Sequence, residues 1–326
     1  MNWFGQPDRR PRTGDRTLTI GLVNNMADAG LTATERQFRA LLSAAADQPP
    51  RLCLFTCAEI PRATPPRDST GNTYDDLDAL FTAELDAVIV TGMEPRAACL
   101  SDEPIWPSLT RIADGSAARG IPVLWSCLAA HAAVLHRDGV ARERLPDKLS
   151  GLVRSEIAID HPLAAGLPTA WTNPHSRHHG LPERRLTAAG YRILSRSEAG
   201  GADIFSRDRD IFLQGHPEYE GHTLLREYRR DIGRYLAGAR ATFPAAPTQF
   251  FDPTRDAALA DIRTRAASSR DPAWLDAVGA VLEGADHVAV WQPTAIRIIA
   301  NWLAAIDAAG THALTRATAH VEDPIA

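Results

Sequence analysis

The sequence predicts an α/β fold in which a mostly parallel sheet is flanked by helices. Short apolar runs alternate along the chain with segments of helical periodicity, the pattern of strand-helix-strand crossovers. Apolar runs stop near Asn24, Gly92 and Cys127, each followed by a turn or a helix. The 326 residues are 44% hydrophobic and 23% charged, which supplies a sizeable core for one large domain or two smaller ones.

In chain order, residues 1–16 carry Arg9, Arg10, Arg12 and Arg16 among Pro, Gly and Asp and read as a flexible tail, with a single α/β domain over residues 17–326. Leu18-Thr19-Ile20-Gly21-Leu22-Val23 is the first strand. Thr32 to Ala45 has helical spacing, with Thr32 or Thr34 as its N-cap. Leu52-Cys53-Leu54-Phe55 and the run from Leu85 to Gly92 are further strands, and Trp106 to Ala118 is the crossover helix leading to the apolar run that starts at Ile121. An alanine-rich helix opens at Leu128, and Ile211-Phe212-Leu213 is a late strand. From about 252 to 286, Trp274, Leu275, Val278, Val281 and Leu282 recur at helical spacing around a Ser268-Ser269-Arg270-Asp271-Pro272 loop. This helical insert reads by default as a solvated amphipathic segment, with a lid or an oligomer contact as the alternatives.

Composition removes several function classes. Cys53, Cys57, Cys99 and Cys127 are too few for a disulfide framework, and the Cys53/Cys57 spacing that zinc could use has no second close pair, so a reducing compartment is expected. No apolar stretch reaches the roughly 18 residues that cross a bilayer, and the N-terminus lacks a signal-peptide core, which implies a cytoplasmic protein with no membrane partner. A net charge of −5 with acids and bases interspersed leaves no footprint for nucleic acid. Small-molecule chemistry remains.

That chemistry is carried first by Cys127. It joins a strand to a helix, where aligned peptide dipoles favour thiolate and the Leu128 amide stands ready as an oxyanion donor. A buried packing cysteine is the competing reading. The second cluster is Gln214-Gly215-His216-Pro217-Glu218-Tyr219. Pro217 biases His216 toward extended backbone, and side chains two apart on an extended chain share a face. Glu218 can therefore orient the His216 imidazole toward a nucleophile, although a satisfied strand-end histidine and a solvated carboxylate would carry the same residues. His175, His178 and His179 have no second ligand group at useful spacing, so no metal and no cofactor is expected.

Five separated motifs, Trp125-Ser126-Cys127, Asp147-Lys148-Leu149-Ser150-Gly151, Pro174-His175-Ser176-Arg177, Gly215-His216-Pro217-Glu218-Tyr219 and Glu227-Tyr228-Arg229-Arg230-Asp231, resemble the homoserine O-succinyltransferase family. The resemblance runs from about residue 17 to 236 and resumes near 290. It implies a class I glutamine amidotransferase-like fold and an acyltransferase of methionine biosynthesis that moves succinyl from succinyl-CoA to the hydroxyl of L-homoserine by a ping-pong route. It further implies Cys127 as the acyl-thioester nucleophile, His216 as base, Glu218 as its partner, and Lys148, Ser176 and Arg230 as substrate-binding residues. An arginine at 230 suits a bidentate grip on a carboxylate. A glutaminase is disfavoured, because its elbow reads Gly-x-Cys-x-Gly where this chain has Trp125 and Ala129.

Two departures stand out. The insert at about 252–286 has no counterpart in the resemblance. The position that the family uses to select its acyl donor falls on Arg96, neither the glycine nor the glutamate of the pattern, and Arg96 is expected to pair with the free carboxylate of a succinyl group. Acetyl-CoA as donor and serine as acceptor are the alternatives, with a non-catalytic amino-acid-binding relative as the reading from another class. A homodimer is the general expectation for such a protein.

Overall fold

A computed structural model describes residues 17–197, 199–285 and 288–319; the expected tail at 1–16 lies outside them. The near-continuously apolar runs form strands β1 (Thr19–Val23), β3 (Ala87–Val90), β4 (Val123–Ser126) and β9 (Asp210–Leu213). They are buried along almost their whole length, as strands covered on both faces must be. With β2 (Arg51–Phe55) they lie in the order β2-β1-β3-β4-β9, all parallel. The sheet is mixed, however. Beyond β9 it continues antiparallel through β8 (Gly201–Arg207), β7 (Arg192–Ser197), β5 (Glu143–Ile157) and β6 (Ala170–Gly180), nine strands among the described residues.

Helices cover both faces, with short α2 (Leu77–Thr82) between β2 and β3 and short α5 (Glu183–Ala188) between β6 and β7. On one side α3 (Trp106–Arg119) and α4 (Leu128–Asp138) bury Leu109, Ile112, Ala129, Ala133 and Val134 against Trp125 and Phe212. On the other, α1 (Asp28–Ala44) and α9 (Gln292–Ala319) bury Phe38, Leu41, Ile298 and Trp302 against Ile20, Leu22 and Ile89. Gly120 and Gly139 close α3 and α4 in the left-handed conformation, at φ 64° and 66°. Among the described residues no helix is long and apolar enough to cross a membrane.

Two expectations are corrected. Helix α1 begins a turn early, at Asp28, with Ala27 at the N-cap and neither Thr32 nor Thr34 capping it. The sequence signal was masked because Gly30 is a weak helix former and the apolar spacing starts only at Leu31. The Asp147–Gly151 run is part of β5, where the pairing register with β6 shifts between Arg144 and Leu149. Ser150 pairs with Ser176, and Gly151, at φ 138°, lets the backbone of Thr248 lie directly on it. Thr248 donates its amide to Ser150 O at 2.8 Å and accepts from Leu152 N at 2.9 Å.

The insert is no solvated segment. Helices α7 (Pro253–Ala266) and α8 (Ala273–Leu282) flank the predicted loop and pack on α6 (Thr223–Leu236). Leu259, Ile262, Val278 and Leu282 share a third core with Tyr228, Ile232 and Tyr235. Asp252 caps α7 by accepting from the amides of Thr254 and Arg255.

Candidate active site

Cys127 occupies a strained elbow between β4 and α4. Its backbone stands at φ 52°, ψ −115°, a conformation that costs a non-glycine residue of order 1–3 kcal/mol. The turn is held by the Cys127 amide donating to Leu213 O at 2.7 Å and by its carbonyl accepting from His131 N at 3.2 Å. The strain lifts the thiol off the end of the sheet and leaves the Leu128 amide at the head of the helix. Gly92, just beyond β3, packs against this elbow: a β-carbon there would stand 3.0 Å from Leu128 N and 3.1 Å from Cys127 Cβ. The space in front of the Leu128 amide exists because residue 92 has no side chain.

The neighbouring strand β9 delivers the second group. His216 Nδ1 and Glu218 Oε1 are 2.8 Å apart, both side chains nearly buried. Burial pushes the imidazole pKa down, but the charges of Glu218 and Cys127 and hydrogen bonds to both outweigh it, and the His216 pKa is raised well above its ordinary value. The Tyr219 ring stacks on the imidazole with centroids 4.4 Å apart. Beneath them lies buried Asp203, which accepts from Ser155 Oγ at 2.8 Å and from Gly215 N at 3.2 Å. His175 Nε2 lies 3.3 Å from the same carboxylate, and the His216 amide donates to Pro174 O at 2.8 Å. His175 is thereby a buried support for the His216 turn. Among the described residues no group of three or more His, Cys, Asp and Glu is placed to hold a metal.

The opposite wall is polar. Lys148 from β5 and Arg230 from α6 both reach Asp231, Nζ at 2.8 Å from Oδ2 and Nη2 at 3.0 Å from Oδ1. Burial raises the Asp231 carboxyl, but Lys148 and Arg230 hold it below the usual range. Glu227 accepts from Ser176 Oγ at 2.5 Å and from Tyr219 OH at 2.7 Å, so its carboxylate is fixed facing the cleft. At the rim Arg234 grips Glu94, with Nη2 2.8 Å from Oε2.

Cys127, Leu128, His216, Glu218, Lys148, Ser176 and Arg230 therefore line one cleft at the carboxyl ends of the parallel strands. Arg96 does not. Met93, Glu94 and Pro95 follow the cleft wall, but Glu103 Oε1 then accepts from the amides of Arg96 and Ala97, both at 2.8 Å, and the Arg96 side chain is exposed outside it. The Arg96 side chain, expected to meet a bound acyl group, thus stands outside the cleft on an anchored loop. Glu227, Asp231 and Arg142 join the lining without having been singled out. Glu227 precedes Arg230 by three residues and so shares its helix face, a signal that the spacing contained. Arg142 carried none, since it follows a helix end with no periodicity around it.

The family model described as homoserine O-succinyltransferase matches residues 6–309 of this chain. That range runs across residues 252–286, the segment for which the resemblance had offered no counterpart. The homoserine O-succinyltransferase of Methylorubrum extorquens is 45% identical over 299 residues, covering 91% of this chain and 89% of that one. The one from Rhodopseudomonas palustris is 43% identical over 313 residues, covering 93% and 91%. A solved glutamine amidotransferase from Methylobacillus flagellatus superposes with a TM-score of 0.51 at 15% identity, over 89% of this chain and 94% of that one, a likeness of fold alone.

Proposed function

The chain belongs to the homoserine O-succinyltransferase family, acyltransferases of methionine biosynthesis, and from that premise we propose that Cys127 carries the succinyl group, with His216 as its proton shuttle and Glu218 as the orienter. The observation that carries the assignment is the elbow at φ 52°, which aims Cys127 at an imidazole held 2.8 Å from a buried carboxylate.

The two half-reactions follow from these positions. The Cys127 thiolate attacks the thioester carbonyl of succinyl-CoA, and the oxyanion forms against the Leu128 amide in the space left by Gly92. Collapse breaks the carbon–sulfur bond to CoA, whose thiolate takes the proton held by His216. The imidazole, now neutral, accepts the hydroxyl proton of L-homoserine as its oxygen attacks the acyl-enzyme. Collapse of the second tetrahedral intermediate releases O-succinylhomoserine and returns thiolate and imidazolium together.

The polar wall accounts for the acceptor. Arg230 offers its remaining guanidinium donors to the α-carboxylate of homoserine, and Glu227, fixed by Ser176 and Tyr219, offers its charge to the ammonium group. Lys148 neutralises Asp231 between them. Incubation with succinyl-CoA alone, followed by intact-mass measurement, tests the scheme. A succinyl increment located on Cys127 and discharged by homoserine is expected; an unmodified protein with either succinyl-CoA or acetyl-CoA would overturn it.

A further inference from the structure

Among the described residues, the cations that line the cleft are, with one exception, already engaged. Lys148 and Arg230 share Asp231, Arg234 holds Glu94, and Arg177 donates to His175 Nδ1, His179 O and Gly200 O. Arg142, in the segment between α4 and β5, makes no hydrogen bond or ion pair among the described contacts, and its Nη2 is buried without a partner. Burial lowers the pKa of this guanidinium, and the charges of Glu103, Cys127 and Cys99 oppose that shift. Arg142 is therefore close enough to the nucleophile for their charges to interact. A desolvated guanidinium nitrogen without an acceptor is costly unless an anion completes it.

The loop after Gly92 narrows which anion. Glu103 spends one oxygen on the amides of Arg96 and Ala97. Its charge acts on Arg142, yet no ion pair joins them. The segment that the resemblance marks for donor choice is thus anchored by the same Glu103 whose charge acts on Arg142, while Arg96 is exposed. An acyl chain seated on Cys127 and ending in a carboxylate would supply the acceptor that Arg142 lacks.

We propose that Arg142 receives the free carboxylate of the succinyl group and is a specificity-determining residue for the acyl donor. The proposal rests on the reading of Cys127 as acyl carrier. A dicarboxylic acyl-CoA is selected because its carboxylate completes the half-buried guanidinium of Arg142, whose Nη2 lacks an acceptor. A neutral acyl chain leaves that cation unsatisfied, which is the strong form of discrimination available to a binding site.

The experiment compares succinyl-CoA with butyryl-CoA, the four-carbon donor without the carboxylate, in the full-length protein and its Arg142→Gln and Arg142→Lys variants. Single-turnover acylation of Cys127 is followed by intact mass, and thermal melting reports folding. Arg142→Gln is expected to lose roughly 10- to 100-fold in acylation by succinyl-CoA while its rate with butyryl-CoA is unchanged or higher, and Arg142→Lys to fall between. An equal loss with both donors would assign Arg142 to the CoA moiety or to the fold and overturn the proposal, as would an unchanged ratio of the two rates in both variants. A wild-type protein that neither donor acylates would instead overturn the reading of Cys127 itself, and the proposal with it.

Discussion

Gly92 and Leu128 face each other across the head of helix α4, with the Leu128 amide nitrogen 3.0 Å from where a β-carbon on residue 92 would stand. The same β-carbon would lie 3.1 Å from both Cys127 Cβ and Ser126 O. Gly92→Ala should therefore fill the oxyanion position or push the elbow out of line. The loss of one oxyanion donor is typically about 100- to 1,000-fold in kcat. Steady-state kinetics should show a fall of that order with a near-wild-type melting temperature. A variant that keeps full kcat would show that the charge is stabilised elsewhere.

The pairing of His216 with Glu218 and Cys127 makes two pH predictions. The folded-state pKa of His216 is raised, so its contribution to stability is complete below the unfolded value of about 6.5 and is lost as pH rises through the folded value. In the proposed scheme the departing CoA thiolate takes its proton from the same imidazolium, so acylation should decline on the alkaline side. Glu218→Gln removes one of the charges that raise this pKa, and the alkaline limb of single-turnover acylation should move to lower pH. Identical limbs in the wild type and the variant would separate Glu218 from the titration of His216.

Arg230 and Asp231 divide the two half-reactions. Arg230→Ala removes the proposed carboxylate grip without touching the elbow, so acylation by succinyl-CoA should proceed at nearly the wild-type rate. The KM for homoserine should rise by roughly 10- to 100-fold, with Arg230→Lys recovering only part because it cannot form the bidentate pair. A slowed first half-reaction with an unchanged homoserine KM would place Arg230 on the donor side instead.

How far such a site can be read from sequence depends on how local its causes are. The elbow at Cys127 and the His216–Glu218 pair were legible because each lies within a few residues: a buried strand running into an alanine-rich helix, and two side chains on one face of an extended backbone. Lys148 and Ser176 were legible as residues, but the strands that carry them were not. Their strands, β5 and β6, bury Gly151, Ser155, Asn173 and His175 as well as Val153 and Trp171, and such a mixture breaks the apolar alternation that marks a strand. The position of Arg96 was illegible for a third reason. Its exposure follows from Glu103 binding the loop amides seven and six residues away, a tertiary contact that no spacing rule contains. The insert likewise took its order from packing against α6, which its own periodicity could suggest but not locate.

That packing gives the insert a functional test. Helix α6 bears Glu227, Arg230 and Asp231 on its cleft side while Tyr228, Ile232 and Tyr235 face α7 and α8. Tyr235 OH also donates to Ala266 O at 2.8 Å. Leu259 is 1% exposed within this core. Leu259→Ala removes buried apolar volume and should destabilise the protein by about 2–5 kcal/mol, measured by urea unfolding. Because α6 holds the groups proposed to bind the acceptor and the elbow lies on other elements, loosening it should raise the homoserine KM more than it slows acylation of Cys127. If stability falls while both half-reactions keep their rates and the homoserine KM does not move, α7 and α8 brace the fold without setting the acceptor site.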